Sequence, residues 1–135
     1  MDLAVSDAHA LIWAASGNLR KLGRNARSFF ERVDSGGAAL YVPTHALLEI
    51  GEAHAAGDFS LSEDTPFDEW VDRLTRSGKY IPVELSVEIV RRAQEFYAIP
   101  ERGDRIVVAT ASVMDCPLIT RDSEITGIVG IEVVW

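Results

Sequence analysis

Asp7, Glu49, Asp104 and Asp122 are the side chains whose type and placing suit chemistry. Each stands beside an apolar segment without belonging to it. Asp7 ends the run Leu3-Ala4-Val5-Ser6, and Glu49 interrupts Leu47-Leu48-x-Ile50. Asp104 opens Ile106-Val107-Val108-Ala109, and Asp122 follows Pro117-Leu118-Ile119-Thr120 by two residues. Carboxylates at strand ends and on core helices are costly to desolvate unless a cation sits among them. A divalent metal is the simplest such cation. Mg²⁺ and Mn²⁺ prefer oxygen ligands, and an acidic cluster leaves coordination positions open for a phosphate oxygen and a water. Such an ion acidifies the water and stabilises charge developing on the phosphate oxygens. The chain therefore reads as a metal-dependent enzyme acting on phosphate esters.

Rival chemistries have less support. There is no G-x-S-x-G elbow, no G-x-x-x-x-G-K-[ST] phosphate loop and no G-x-G-x-x-G fingerprint. His9, His45 and His54 lack the close spacing of zinc ligands, and Cys116 is the single cysteine. An aspartyl-phosphate route at Asp7 lacks the second nearby Asp, since Ala8-His9 follow.

The segments that must position these carboxylates alternate between short apolar runs and stretches of helical spacing. Residues 2–6, 39–42, 80–83, 117–120 and 131–134 read as short apolar strands. Residues 8–15, 19–34, 44–56, 66–77, 87–97 and 105–114 carry helical spacing. Thr44 and Ser86 are the expected N-caps of two of these helices. Pro82 assigns its strand to a sheet edge. Continuous apolar strands alternating with helices specify an α/β sandwich, with a mostly parallel five-stranded sheet flanked by helices. In such sheets ligands bind beyond the carboxyl ends of the strands. Asp7 and Asp122 lie just past two such ends, and the helices bearing Glu49 and Asp104 can pack beside them.

The chain has 135 residues, enough for one domain over 1–135. The net charge of −8 argues against broad electrostatic capture of nucleic acid, although a local basic rim suffices for a nuclease. The same charge suits a basic protein partner. One cysteine, no signal peptide and no membrane-length apolar run point to the cytoplasm.

Four motifs in order resemble those of PIN-domain ribonucleases, and over nearly the whole chain their spacing is similar to the VapC-type toxins of bacterial toxin–antitoxin pairs. They are Val5-Ser6-Asp7-Ala8-His9-Ala10-Leu11-Ile12-Trp13, Val42-Pro43-Thr44-His45-Ala46-Leu47-Leu48-Glu49-Ile50, Asp104-Arg105-Ile106-Val107-Val108-Ala109-Thr110-Ala111 and Leu118-Ile119-Thr120-Arg121-Asp122. The resemblance implies a three-layer PIN-like sandwich and a Mg²⁺- or Mn²⁺-dependent endoribonuclease. It also implies a homodimer inhibited by a cognate antitoxin, whose C-terminal segment fills the active-site groove. By position it makes Asp7, Glu49, Asp104 and Asp122 the metal-binding catalytic cluster, Asp7 and Asp104 foremost. Thr120 would orient the site, and Arg105 or Arg121 would meet phosphate. Two departures stand out: Ala8 replaces the frequent Thr or Ser, and Glu101-Arg102-Gly103-Asp104 replaces Asp-Pro-x-Asp. Glu101 is the substitute for the first of those aspartates.

Plainer readings compete with each signal. Asp7 and Asp104 also suit helix N-caps, Glu49 a solvated helix face, and Asp122 a cap on the turn at Ser123-Glu124. His45, four residues before Glu49, is placed to contact it. Packing is the expected role of Trp13, Trp70 and Trp135. Arg20, Lys21, Arg24 and Arg27 either guide phosphates or simply face solvent. Two other functional classes stay open: a catalytically degenerate protein-binding module, and a phosphohydrolase of small esters.

Overall fold

The computed structural model describes every residue except Ser123 and Val129, and the side chain of Glu63. Five strands form one sheet: β1 (Asp2–Ser6), β2 (Ala38–Pro43), β3 (Tyr80–Val83), β4 (Leu118–Ile119) and β5 (Val133–Val134). Their order is β3-β2-β1-β4-β5, and every pairing is parallel. Among the described residues, six α-helices accompany them: α1 (Ala8–Ala15), α2 (Arg24–Asp34), α3 (Thr44–Ala55), α4 (Phe67–Arg76), α5 (Val87–Ala93) and α6 (Arg102–Met114).

The period-two alternation of β1 sends neighbouring residues into different cores. Ala4 joins Leu40, Val42 and Ile119 in a cluster with Leu11 of α1, Phe29, Phe30 and Val33 of α2, and Ile50 of α3. Val5 joins Leu118 on the other face, under Val107, Val108 and Ala111 of α6. Ile89 and Ala93 of α5 then pack on Ile106 and Ala109 of α6. The sheet is thus the middle layer of three, as the apolar strands required. Pro82 lies on edge strand β3, where its missing N–H leaves no gap in an inner ladder.

Several boundaries differ from the sequence expectation. The helix expected over 19–34 is broken into a 3₁₀ turn, Leu19–Lys21, and α2. Gly23 sits between them with extended backbone and heads α2 without a side-chain cap. Apolar spacing ran across the break because Leu22 and Ala26 are both buried. The 87–97 helix likewise tightens into a 3₁₀ turn at Gln94–Phe96. Ser86 caps α5 as expected, accepting a hydrogen bond from the Ile89 N–H at 3.2 Å. Thr44 does not cap α3: it is the first helical residue, and Pro43 ends β2 in the capping position with no cap hydrogen bond. Helix α6 begins at Arg102, so Asp104 lies inside its first turn rather than at its cap. Strands β4 and β5 are two residues each, shorter than the four expected.

This topology fixes where chemistry is positioned. The chain winds from β1 outward through β2 to β3, then crosses to the other side of β1 to lay down β4. The reversal leaves a switch point between the carboxyl ends of β1 and β4, where parallel sheets hold ligands.

Gly23 has a steric role in this arrangement. A Cβ there would fall 2.5 Å from the Trp135 carbonyl carbon and 2.6 Å from its ring Cδ1. Gly23→Ala should cost about 1–3 kcal/mol through overpacking and lower the thermal midpoint by several degrees. A melt followed by far-UV circular dichroism measures this, and an unchanged midpoint would contradict the close approach.

Candidate active site at the switch point

Asp7 leaves β1 and immediately caps α1, its Oδ1 accepting the Ala10 N–H at 2.8 Å. The cap reading and the functional reading are therefore compatible, since the Ala10 N–H engages one of the two carboxylate oxygens. The Thr120 hydroxyl, fully buried beyond β4, lies against the Asp7 carboxylate and favours its charged form. The same hydroxyl accepts the Asp122 N–H at 3.1 Å. Thr120 thus couples the end of β4 to the end of β1.

Burial pushes the Asp7 carboxyl above its ordinary 3.8. Contacts with Thr120 and Ala10 and the nearby His9 oppose that rise, while the charge of Asp122 adds to it. Asp104 is pushed up to about 7, first by burial, then by its hydrogen bond with Asp122 and by the charges of Asp122, Asp7 and Glu101. Like charges in a poorly solvated site suppress one another's ionisation. Asp7, Asp104 and Asp122 therefore share one electrostatic field, and Glu101, the residue of the departed motif, adds to it.

Asp104 reaches this place because α6 runs back across the sheet toward β4, bringing its first turn to the carboxyl edge. Asp122 also shapes its own loop, with Oδ1 accepting the Glu124 N–H at 2.9 Å. Ser123, the other residue of the expected cap, lies outside the described residues.

Glu49 sits to one side. His45 Nδ1 is 2.9 Å from its Oε1, yet the two are out of line for a hydrogen bond, leaving Nδ1 without one. The glutamate also rests on α6 where Gly103 has no side chain: a Cβ there would collide with Glu49 Oε1. Gly103 was not singled out from the sequence. The available signal was a glycine inside a helical turn, a choice that costs about 1 kcal/mol against alanine.

The arginines next to the acidic motifs point to other partners. Arg105 donates from Nη2 to the Pro100 carbonyl at 3.3 Å. The Arg121 guanidinium lies over the Trp13 ring, 5.1 Å from its centre.

The donors suit a hard divalent cation in type, being carboxylate oxygens whose burial and like-charged neighbours raise Asp104 to about 7. Their side chains are not arranged on one point: among the described residues, no three His, Cys, Asp or Glu side chains gather at ligating geometry. The fit is one of charge and donor chemistry, with two carboxyls in hydrogen-bond contact and a third within charge range.

The PIN-domain family model matches residues 4–129. The chain belongs to the PIN-domain family. No curated protein sequence matches it, but solved structures do. It is similar to VapBC2 from Rickettsia felis bound to a DNA fragment from their promoter, with TM-score 0.68 and 10% identity over 97% of this chain and 96% of that one. A toxin–antitoxin complex from Klebsiella pneumoniae gives TM-score 0.60 and 20% identity over 95% and 94%. FitAcB from Neisseria gonorrhoeae gives TM-score 0.60 and 11% identity over 97% and 95%. At these identities the likeness shows the PIN fold.

The raised Asp104 carboxyl predicts how stability varies with pH in the absence of divalent cations. Between the ordinary 3.8 and the folded value of about 7, the folded state binds more protons than the unfolded chain. Stability should therefore fall as pH rises through that window and level off above it. Asp104→Asn should flatten the slope, melting a few degrees above the parent at about pH 8 and close to it at about pH 4. Parallel slopes in thermal melts of the two proteins would rule out the raised Asp104 carboxyl.

Proposed function

We propose that this PIN domain, acting as one unit over residues 1–135, is a Mg²⁺- or Mn²⁺-dependent endoribonuclease. We further propose that it is the toxin of a type II toxin–antitoxin pair. The observation behind the reading is the gathering of Asp7, Asp104 and Asp122 at the switch point, where burial, and then these like-charged neighbours, hold Asp104 up to about 7. A cation among them relieves that repulsion and brings the carboxylates to their charged forms. When bound, the ion acidifies water and balances charge developing on the scissile phosphate.

The chain's own residues hold the site ready. Asp7 and Asp104 are the proposed principal ligands, with Asp122 and Glu49 completing the set. Thr120 and the Ala10 N–H both engage the Asp7 carboxylate and favour its charged form. His45 and Gly103 set the position of Glu49. Ala8, where the resemblance led us to expect a hydroxyl, offers none; Thr120 and Ser6 bring hydroxyls to neighbouring backbone and carboxylate groups.

The partners follow from charge and exposed surface. The structural neighbours include a toxin–antitoxin complex and VapBC2, and a net charge of −8 favours a basic antitoxin segment. Leu85, Val87, Val90 and Tyr97 leave apolar surface exposed around α5, which suits a homodimer or antitoxin contact. No helix among the described residues is long and apolar enough to cross a membrane, and we place the protein in the cytoplasm.

A second reading, a degenerate PIN fold kept as a protein-binding module, draws on the engagement of Glu49 with His45. Calorimetry separates the two: no heat of Mn²⁺ binding at millimolar concentration favours the module.

Asp7→Asn and Asp104→Asn should slow RNA cleavage more than about 100-fold at matched Mg²⁺. Asn retains the N-cap at position 7, so the fold should persist. Cleavage by either variant at the parent rate would falsify the mechanism. Gly103→Ala tests Glu49 indirectly. The new methyl meets the mobile end of Glu49, so the carboxylate moves while the backbone stays. Cleavage should drop about 10-fold or more at an unchanged melting temperature. Parent-like cleavage by Gly103→Ala would remove Glu49 from the catalytic set.

A further inference from the structure

We propose that Trp13, His9, Lys21 and Arg121 form a shelf that takes an unpaired nucleotide of single-stranded RNA next to the acidic cluster. The inference rests on the ribonuclease reading and adds a binding subsite to it.

Three observations converge here. The first is an open cavity of about 590 Å³ beside α1, whose wall includes His9, Trp13, Asn18, Lys21 and Phe59. Its size lies within the roughly 300–1,000 Å³ typical of small-ligand sites. The second is the disposition of cations. Lys21 Nζ lies 5.8 Å and the Arg121 guanidinium 5.1 Å from the centre of the Trp13 ring. Several other arginines are held by carboxylates: Arg27 by Glu31, Arg32 by Asp2, Arg73 by Glu69, Arg76 by Asp72 and Arg92 by Glu95. Among the described residues, neither Lys21 nor Arg121 takes part in an ion pair. In a chain of net charge −8, these are cations that a phosphate can meet unneutralised.

The third observation is continuity with the acidic site. Arg121 stands between Thr120 and Asp122, both parts of the switch-point network. His9 is two residues beyond Asp7 and near enough for its charge to act on that carboxylate. Its exposed ring is 5.9 Å from the Trp13 ring and tilted by 41°. A strand with one phosphate at the carboxylates therefore has its neighbouring nucleotide at the shelf.

The chemistry fits that occupant. Aromatic rings stack on any base, and cations beside them neutralise the adjoining phosphate. The combination selects unpaired over paired nucleic acid, because a base within a duplex has no free face. Asp58 adds one negative charge to the cavity wall, which leaves the phosphate to the Lys21 and Arg121 side. Trp13 also meets Trp135 edge-on, at 5.8 Å and 64°, which braces the ring.

The test is binding of a short labelled single-stranded RNA of mixed sequence by fluorescence anisotropy, in EDTA so that cleavage does not interfere. Trp13→Leu should weaken binding about 10-fold and Trp13→Phe should stay within about twofold of the parent. Trp13 packs partly against the core, so exposed Lys21 gives an independent arm. Lys21→Ala should weaken binding and lower the slope of log affinity against log salt by about 0.7. Folded Trp13→Leu and Lys21→Ala proteins that bind RNA like the parent overturn the shelf. So does a loss of affinity for a basic peptide with RNA binding intact, which would make the surface a protein site. Cleavage assays keep the two proposals apart. RNA cleavage by the parent alongside unchanged binding by the variants removes the shelf and leaves the nuclease. Shelf-dependent binding with no cleavage by the parent removes the nuclease and leaves the shelf.

Discussion

Burial of Asp7 and Asp104 beside one another and beside Asp122 is the constraint on which the carboxyl edge of this sheet depends. Asp104 is held up to about 7, first by its burial and then by its hydrogen bond with Asp122 and the charges of Asp122, Asp7 and Glu101. The fold tolerates this because other interactions fix each group. Asp7 is pinned by the Ala10 N–H and the Thr120 hydroxyl. Asp122 is pinned through its own N–H to Thr120 and through its carboxylate to the Glu124 N–H. Asp104 is carried by a helix whose apolar positions Ile106, Val107 and Val108 are buried. Packing remote from the site thus supplies the energy that holds like charges together, a common arrangement where charge must be concentrated before a ligand arrives.

The sheet order explains why three distant stretches of sequence meet. Parallel strands put their carboxyl ends on one edge, and the crossing between β1 and β4 opens a gap there. Strand ends deliver Asp7 and Thr120 directly. Helix α6 delivers Asp104 from the opposite direction, because a helix that returns the chain to the start of β4 has its amino end at this edge. Glu49 arrives by a third route, along a helix that continues β2 without a loop. Its carboxylate is consequently set by helix-to-helix contact with Gly103 and by His45, rather than by a strand end.

What the sequence revealed divides along the same physical line. Helices were legible by their period, and strands as unbroken apolar runs, since Ala4 and Val5 face opposite cores and both faces are buried. The α/β sandwich followed from those buried strands, and the edge position of β3 from Pro82, which lacks an N–H for an inner ladder. The break at Leu22–Gly23 was hidden because Leu22 and Ala26 keep helical spacing across it. The reason for Gly23 is Trp135, more than a hundred residues away, and no local pattern records so distant a neighbour. In the site, the aspartates were legible as charges in apolar company. The part played by Gly103 was not, because a missing side chain matters only for what occupies the space. The directions taken by Arg105 and Arg121 were equally hidden, since a long flexible side chain beside a motif can turn several ways.

On the proposed reading this acidic protein handles a polyanion, and attraction must stay local. This chain concentrates negative charge where a cation would invert its effect and offers positive charge only a short distance away. The two functions need different surroundings. Crowded carboxylates gain from exclusion of water, which raises their demand for a cation. A phosphate-binding cation must instead stay exposed, so that it is not spent on a neighbouring carboxylate. Trp13 reconciles the two, because an aromatic face attracts Lys21 and Arg121 without cancelling their charge. The ring gives the cations a fixed place at the rim of the acidic site and leaves them free to meet a second anion.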